Sequence, residues 1–386
     1  MASIKQLSDR KFKITISNGY RANGKKICKA KTITLPDSVK LRGIPQYVAH
    51  EAEELERLVK SGFAEDRDTT FEAYATRWLE RQVKYAPGTL ASYRRMLERV
   101  YPYIGAIKLG ELRPMALENM LIELRKRTHQ GKPIQEATVQ KYLTVVSAVL
   151  SDAKRNEIIQ RNPARMIDLP DTERRQQFIP TDEQAQELIL ALLDEPYHYK
   201  LFYVLAMYTG CRRGELCALR WKDFVIVEKY RSVLTVSRSR TVVAGQGVVE
   251  GPTKNGRSRS IALSEDITSL VQGFCYYQRD IAEQHGRELS PYLFVNEKGQ
   301  PIHPDTFTKH LRQIFEENGF PDTFHLHTLR HYFVSTMLHE GVDKQTVAEL
   351  AGHGDTSFLE RTYCHPQMAL KEHAAEKMNA VLLYSA

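Results

Sequence analysis

From Phe71 to Ala164 the apolar residues return at the spacing of an α-helix: Leu90, Tyr93, Leu97 and Tyr101, then Leu117, Leu121 and Leu124, then Tyr142, Val146, Val149 and Ala153. A stripe of this kind escapes water only against other helices, so the whole segment is committed to a small helical bundle. Breaks are expected at Pro87-Gly88, Pro102, Pro114 and Gly131-Lys-Pro133, which divide it into about four helices. Its outer positions are expected to carry Arg94, Arg95, Arg99, Arg125, Lys126, Arg127, Lys141, Lys154 and Arg155. Such a surface can lie along phosphates, although charged outer faces are also ordinary on soluble helices.

The pattern differs on either side. Between Lys5 and Arg42 basic residues far outnumber the two acids, Asp9 and Asp37. There Lys11-Phe-Lys-Ile-Thr-Ile and Lys29-Ala-Lys-Thr-Ile-Thr-Leu alternate as short antiparallel strands do, with turns expected at Ser17-Asn-Gly and Ala22-Asn-Gly. A helix from about Ala49 to Ser61, stopped by Gly62, would cover one face of this basic three-stranded sheet. On the other side, Pro163, Pro170 and Asp171-Thr-Glu-Arg-Arg-Gln-Gln read as a linker. Thr181 with Gln184 reads as a capping box that opens a further, mostly helical region with strands at Ser232 to Val236 and Ser258 to Leu263. A chain of 386 residues accommodates two or three domains. The expected division is 1–65, 66–168 and 175–386, in a mainly α multidomain fold.

Several function classes are excluded on composition. No apolar run approaches the roughly 20 residues needed to span a bilayer, and Met1-Ala-Ser-Ile-Lys lacks a signal-peptide core, so a cytoplasmic protein without a membrane partner is expected. The five cysteines, Cys28, Cys211, Cys217, Cys275 and Cys364, are scattered without CxxC spacing, unlike a disulfide framework or a zinc site. No Asp-x-Asp pair, phosphate-binding glycine loop or His/Cys cluster is present, so no metal and no nucleotide cofactor is expected; Gly245-Gln-Gly247 reads as a flexible loop. A formal charge of +8 suits a polyanionic partner.

Four short segments carry chemistry. Tyr208-Thr-Gly-Cys-Arg-Arg-Gly-Glu follows an apolar helix and sets Arg212 at a glycine-marked turn, where its planar fork suits phosphate oxygens. In His325-Leu-His-Thr-Leu-Arg-His, His327 and Arg330 stand three apart and share a helical face. Leu350-Ala-Gly-His-Gly-Asp follows, and then Ser357-Phe-Leu-Glu-Arg-Thr-Tyr-Cys-His, where Ser357 and Glu360 suggest a helix start that carries Tyr363.

In order and in spacing these boxes resemble the tyrosine recombinases, the phage-integrase family. Arg212, His327, Arg330, His353 and Tyr363 match the family's catalytic positions, and His353 stands ten residues before Tyr363, as in many integrases. Gly251-Pro-Thr-Lys-Asn-Gly-Arg-Ser-Arg-Ser-Ile resembles the family's hairpin, with Lys254 at its catalytic lysine, and Glu215 occupies its acidic, supporting position. The resemblance implies attack of Tyr363 on a DNA phosphate, with Arg212, Arg330 and His353 stabilising charge, His327 as base and Lys254 as acid. It also implies a core-binding domain in the helical segment and an arm-type DNA-binding module at the amino terminus. The expected partners are double-stranded attachment sites, three further copies in a homotetramer, an excision factor and DNA-bending proteins. The tail residues Leu370, Ala374, Met378, Val381 and Leu382 share a helical face that could dock in the same or a neighbouring subunit. Type IB topoisomerases use the same covalent chemistry, and a regulator that no longer cuts could share the scaffold. The separate basic module and the compact interval from Arg212 to Tyr363 favour recombination.

Overall fold

Alternation at the start of the chain produces a sheet with one buried face. The computed structural model describes residues 2–20, 26–36, 39, 41–60, 68–129, 131–172, 178–228, 231–352, 354, 356 and 359. They fall into two units, Met1–Glu173 and Arg174–Ala386. In the first, β1 (Ser3–Ser8), β2 (Lys11–Tyr20) and β3 (Lys26–Thr34) form an antiparallel sheet in that order. Phe12, Ile14 and Ile16 point to one side and, with Ile33 and Leu35, bury against Val48, Ala52 and Leu55 of α1 (Ile44–Lys60). On the opposite side exposed Lys5 lies directly across from exposed Lys13. The strand β2 runs through Ser17-Asn-Gly, where a turn was expected; a register irregularity between Ser17 and Tyr20 absorbs those residues as a bulge does. Helix α1 starts five residues before the expected Ala49, because Pro45 falls in its first turn, where a missing N–H costs nothing. The expected turn at Ala22-Asn-Gly and the stop at Gly62 lie outside the described residues.

The helical periodicity gives α2 (Phe71–Glu80), α3 (Pro87–Ile104), α4 (Pro114–Arg125) and α5 (Glu136–Arg155), packed around Leu97, Leu117, Leu121, Val146 and Val149. Prolines open α3 and α4 at their first turns. Pro102, expected as a break, lies inside α3, which continues only two residues beyond it to Ile104. A short hairpin, β4 (Thr128–His129) with β5 (Lys132–Pro133), fills the expected break at Gly131-Lys-Pro133. Arg125 is half-buried rather than on the outer face: it forms a two-pronged bond to Glu136 at 2.8 and 2.7 Å, which joins α4 to α5.

The second unit opens on α6 (Asp182–Ala191), whose Thr181–Gln184 capping box forms as the sequence implied. Then come α7 (Tyr197–Thr209), the single turn α8 (Arg213–Leu216), and the strands β6 (Phe224–Glu228), β7 (Arg231–Val236), β8 (Arg238–Val243), β9 (Gly247–Pro252) and β10 (Arg259–Leu263). Helices α9 (Glu265–Gln284), α10 (Pro304–Glu317), α11 (Leu326–His339) and α12 (Lys344–Ala351) complete the described part. The two strands read from the sequence are β7 and β10, which pair antiparallel with Ile261 opposite Leu234; β6 adds at the far edge of β7. β8 and β9 form a separate hairpin, and Gly245 and Gly247, read as a loose loop, take positive φ at its turn. The core centres on α7, where Phe202 stacks on Phe307 of α10 at 3.7 Å between ring centres. Among the described residues no helix is long and apolar enough to cross a membrane.

Helix α7 ends at Gly210, whose φ of +60° is left-handed, and a Cβ there would stand 2.3 Å from Cδ1 of Phe333 on α11. Gly210→Ala should therefore destabilise the fold by about 1–3 kcal/mol or more. Thermal unfolding of the variant should show a lowered midpoint, and an unchanged midpoint would contradict this packing.

Candidate active site

The chain turns sharply after Gly210, so Arg212 arrives at the start of α8 in an extended conformation. Three residues later Glu215 folds back onto it. Its Oε2 accepts from the Arg212 backbone N–H at 3.0 Å and its Oε1 from the Arg212 guanidinium at 2.9 Å. Glu215 is only 1% exposed, and a second guanidinium, that of buried Arg259 on β10, donates to Oε2 at 2.7 Å. Burial alone would raise the carboxyl's pKa, but Arg259 and then Arg212 outweigh it and hold Glu215 below its usual range. Removing a partner from a buried ion pair typically costs about 3–5 kcal/mol. The second nitrogen of the Arg212 fork donates to the Gly352 carbonyl at 2.9 Å.

Arg330 approaches from α11, 3% exposed, and donates to the Gly210 carbonyl at 2.6 Å. Burial and then the charge of Arg212 push it down to about 10, so it stays protonated at neutral pH. Two guanidiniums pair with one carboxylate and a third feels its charge, and the surplus positive charge is what an anion would neutralise. One turn earlier on α11, His327 keeps one side open to solvent. Desolvation of its inner side, then Arg330, His325, Arg212 and Lys254, push it down to about 4, leaving it neutral and able to take a proton. Because the residue is exposed, the repulsion from these charges is the durable part of that shift, and a bound phosphate would relieve it. His325 caps α11, accepting from the Thr328 N–H at 3.1 Å.

Lys254 stands exposed in the tight turn between β9 and β10, where Gly256 N–H bonds to Thr253 O at 2.8 Å and Gly256 takes a φ of +68°. Beside it Asn255 donates to the Gly352 carbonyl at 3.1 Å, the same atom that receives Arg212. A cleft of about 240 Å³ lies between this turn, Arg212 and the end of α12. The structure thus gathers Arg212, Glu215, Lys254, His327 and Arg330. His353, Tyr363, Ser357, Glu360 and the tail helix residues lie outside the described residues. Arg259 and Asn255 are additions that the sequence reading passed over. The signal for Arg259 was alternation, since it shares the buried face of β10 with Ile261 and Leu263. Among the described residues no group of three or more His, Cys, Asp and Glu side chains is placed to hold a metal ion.

Comparison with known proteins bears on this arrangement. The pattern of the phage integrase family matches residues 180–369, and that of the phage integrase SAM-like domain matches residues 69–169. The chain belongs to the phage integrase family. Its relatives include the ICEBs1 integrase of Bacillus subtilis (strain 168), 26% identical over 64% of this chain and 67% of the relative. A tyrosine recombinase of Thermosipho africanus is 23% identical over 76% of this chain and 94% of the relative. The integrase of the Tn1549 transposon, solved with transposon right end DNA, superposes with a TM-score of 0.68 at 15% identity, covering 81% of this chain and all of that one. A lambda integrase dimer bound to a core site gives 0.55 at 14% identity over 93% and 94%. The mainly α tyrosine recombinase fold read from the sequence is the fold observed. The enzyme is a site-specific tyrosine recombinase.

One consequence of the recombinase's packing concerns pH. His331, 3% exposed on α11, sits edge-on to His327 at 5.0 Å, and burial with the neighbouring histidines and Arg330 pushes it down to about 4. A depressed histidine favours the fold above its ordinary value of about 6.5 and loses that contribution as pH falls towards 4. Melting midpoints should therefore fall across that window, and less steeply in His331→Gln; identical slopes in both proteins would refute the assignment.

Proposed function

We propose that this recombinase, the integrase of a mobile element, cuts and rejoins DNA through a 3′-phosphotyrosyl bond at Tyr363. The observation that carries the reading is the pair of neighbouring guanidiniums, Arg212 held by the buried Glu215 and Arg330 held by the Gly210 carbonyl at the end of α7. They suit the two non-bridging oxygens of one phosphate and the extra charge of its pentacoordinate transition state. A tyrosine hydroxyl titrates near 10, so attack at neutral pH needs a base and an electrophilic phosphate. His327, held neutral, takes the hydroxyl proton; the tyrosine oxygen bonds to phosphorus as the 5′ oxygen leaves with a proton from Lys254. His353 adds a hydrogen bond to the phosphate, and Glu215 holds Arg212 in place. The new ester conserves the energy of the broken one, so the reverse attack by a 5′ hydroxyl reseals the strand without ATP.

The division of labour follows the expected domains. Residues 66–168 and 175–386 each contact the core site, and residues 1–65 bind separate arm sites. In the amino-terminal sheet, Lys5 directly across from Lys13 is a repulsive pair in the free protein and becomes favourable against a polyanion. The working assembly is a homotetramer that exchanges strands in turn through a Holliday junction, with an excision factor and DNA-bending proteins setting direction. The bound forms of the relatives support the tetramer and the junction: lambda integrase has been solved as a tetramer on a Holliday junction and Tn1549 integrase with circular intermediate DNA.

The test is a nicked core-site duplex taken from the ends of the element, incubated with the full chain in EDTA without ATP. The wild type should accumulate a covalent adduct, Tyr363→Phe should form none while binding the site as tightly, and Arg212→Ala should slow capture by at least about a hundredfold. Undiminished capture by Tyr363→Phe would rule out this nucleophile.

A further inference from the structure

An arginine on the inner face of a strand is costly unless every bond direction of its head is used. Arg259 is 7% exposed on β10, and its bonds reach Cys211 and Glu215 around the start of α8 and Leu350 at the end of α12. One NH2 hydrogen goes to Glu215 Oε2 at 2.7 Å, on α8, and the same nitrogen lies 3.3 Å from the sulfur of Cys211, on the turn before it. Its Nε donates to the Leu350 carbonyl at 2.7 Å, in the last turn of α12. Its NH1 lies where a Cβ on Gly352 would come within 2.7 Å, so only glycine fits there, at a φ of +67°. The strand that carries Arg259 leaves the turn that presents Lys254.

We propose that Arg259 is a positioning residue of the cleavage reaction: it fixes the Glu215 carboxylate that aims Arg212 and, with the same rigid fork, the carbonyl end of α12 that leads into His353. The proposal rests on the reading of Arg212 as a phosphate ligand. By occupying Oε2, Arg259 leaves Oε1 to the Arg212 guanidinium in a single orientation. A planar guanidinium sets two bond directions at once, so α8 and the end of α12 are held at a fixed separation; an ammonium supplies the charge without that geometry. Misplacing a reacting group by about 1 Å can cost about a hundredfold in rate.

Binding and single-turnover cleavage of a nicked core site by the full chain distinguish this role from simple support of the fold. Arg259→Met should bind the site as the wild type does and cleave about 10- to 100-fold more slowly. Arg259→Lys should recover only part of the rate. The double variant Glu215→Gln/Arg259→Met should cleave no more slowly than the slower single variant, because both act through one carboxylate. The acid limb of the pH–rate profile should also move upward in Arg259→Met. The groups facing Glu215 are Arg212 and Cys211 from the α7–α8 turn, Arg259 from β10 and Arg330 from α11, and the lost guanidinium is the one that most lowers the carboxyl. Full rescue by lysine, a wild-type rate in Arg259→Met, or losses that multiply in the double variant each overturn the proposal. If Arg259→Met does not fold, Arg259→Lys decides alone, since its full activity means that charge suffices and its slowed cleavage with intact binding supports the fork. A wild type that forms no adduct overturns this and the phosphotyrosyl mechanism together, whereas a wild-type adduct matched by Arg259→Met overturns this alone.

Discussion

A carboxylate that water cannot reach must be paired or lose its charge, and Glu215 is paired twice, by Arg212 and by Arg259. Much of the second unit is arranged to make that pairing possible. Gly210 ends α7 with a left-handed residue so that Arg212 and Glu215 can face each other across one turn. The pairing of β10 with β7 brings Arg259 in from the opposite side, and α11 packs close enough on Gly210 to set Arg330 against its carbonyl. The cluster keeps more positive than negative charge, which is unfavourable in the free protein and favourable once a phosphate enters. Stability and function pull in opposite directions here, as they do at many preorganised electrostatic sites.

The same logic runs through the histidines. Desolvation and the neighbouring cations keep His327 neutral in the free enzyme, which suits the acceptor role proposed for it. The exposed turn that carries Lys254 is tethered through Asn255 to Gly352, next to Arg212, so the hairpin and the end of α12 meet at one carbonyl. A lysine on an exposed turn, a neutral histidine on a helix, a half-buried arginine and a buried one together suit the proposed reaction, whose proton transfers take place about a fixed phosphate.

The legible parts of the chain were those with strong local signals. Helical periodicity located four helices between Phe71 and Arg155, and the Thr181–Gln184 box marked the start of α6. Alternation located the amino-terminal sheet, yet Ser17-Asn-Gly became a bulge because pairing along β2 and β3 outweighed local turn preference. The hairpin of β8 and β9 went unread because Arg238-Ser-Arg carries no apolar alternation; Arg238 is instead fixed by Asp223 at 2.7 Å, a partner no local pattern reveals. At the site, Arg212, His327 and Arg330 were visible because their motifs resemble those of the family. Arg259 was hidden because its importance lies in contacts 44 and 91 residues away, with Glu215 and Leu350.

On the proposed mechanism, Arg212 and Arg330 balance charge on one phosphate. The most direct measurement replaces the scissile phosphate of the core site with an uncharged methylphosphonate and compares strand cleavage by the wild type and by Arg212→Ala. Removing the negative charge from the substrate should remove much of the need for the arginine, so the variant's deficit should shrink markedly on the neutral linkage. An equal deficit on both substrates would contradict the account and leave Arg212 a structural partner of Glu215 alone.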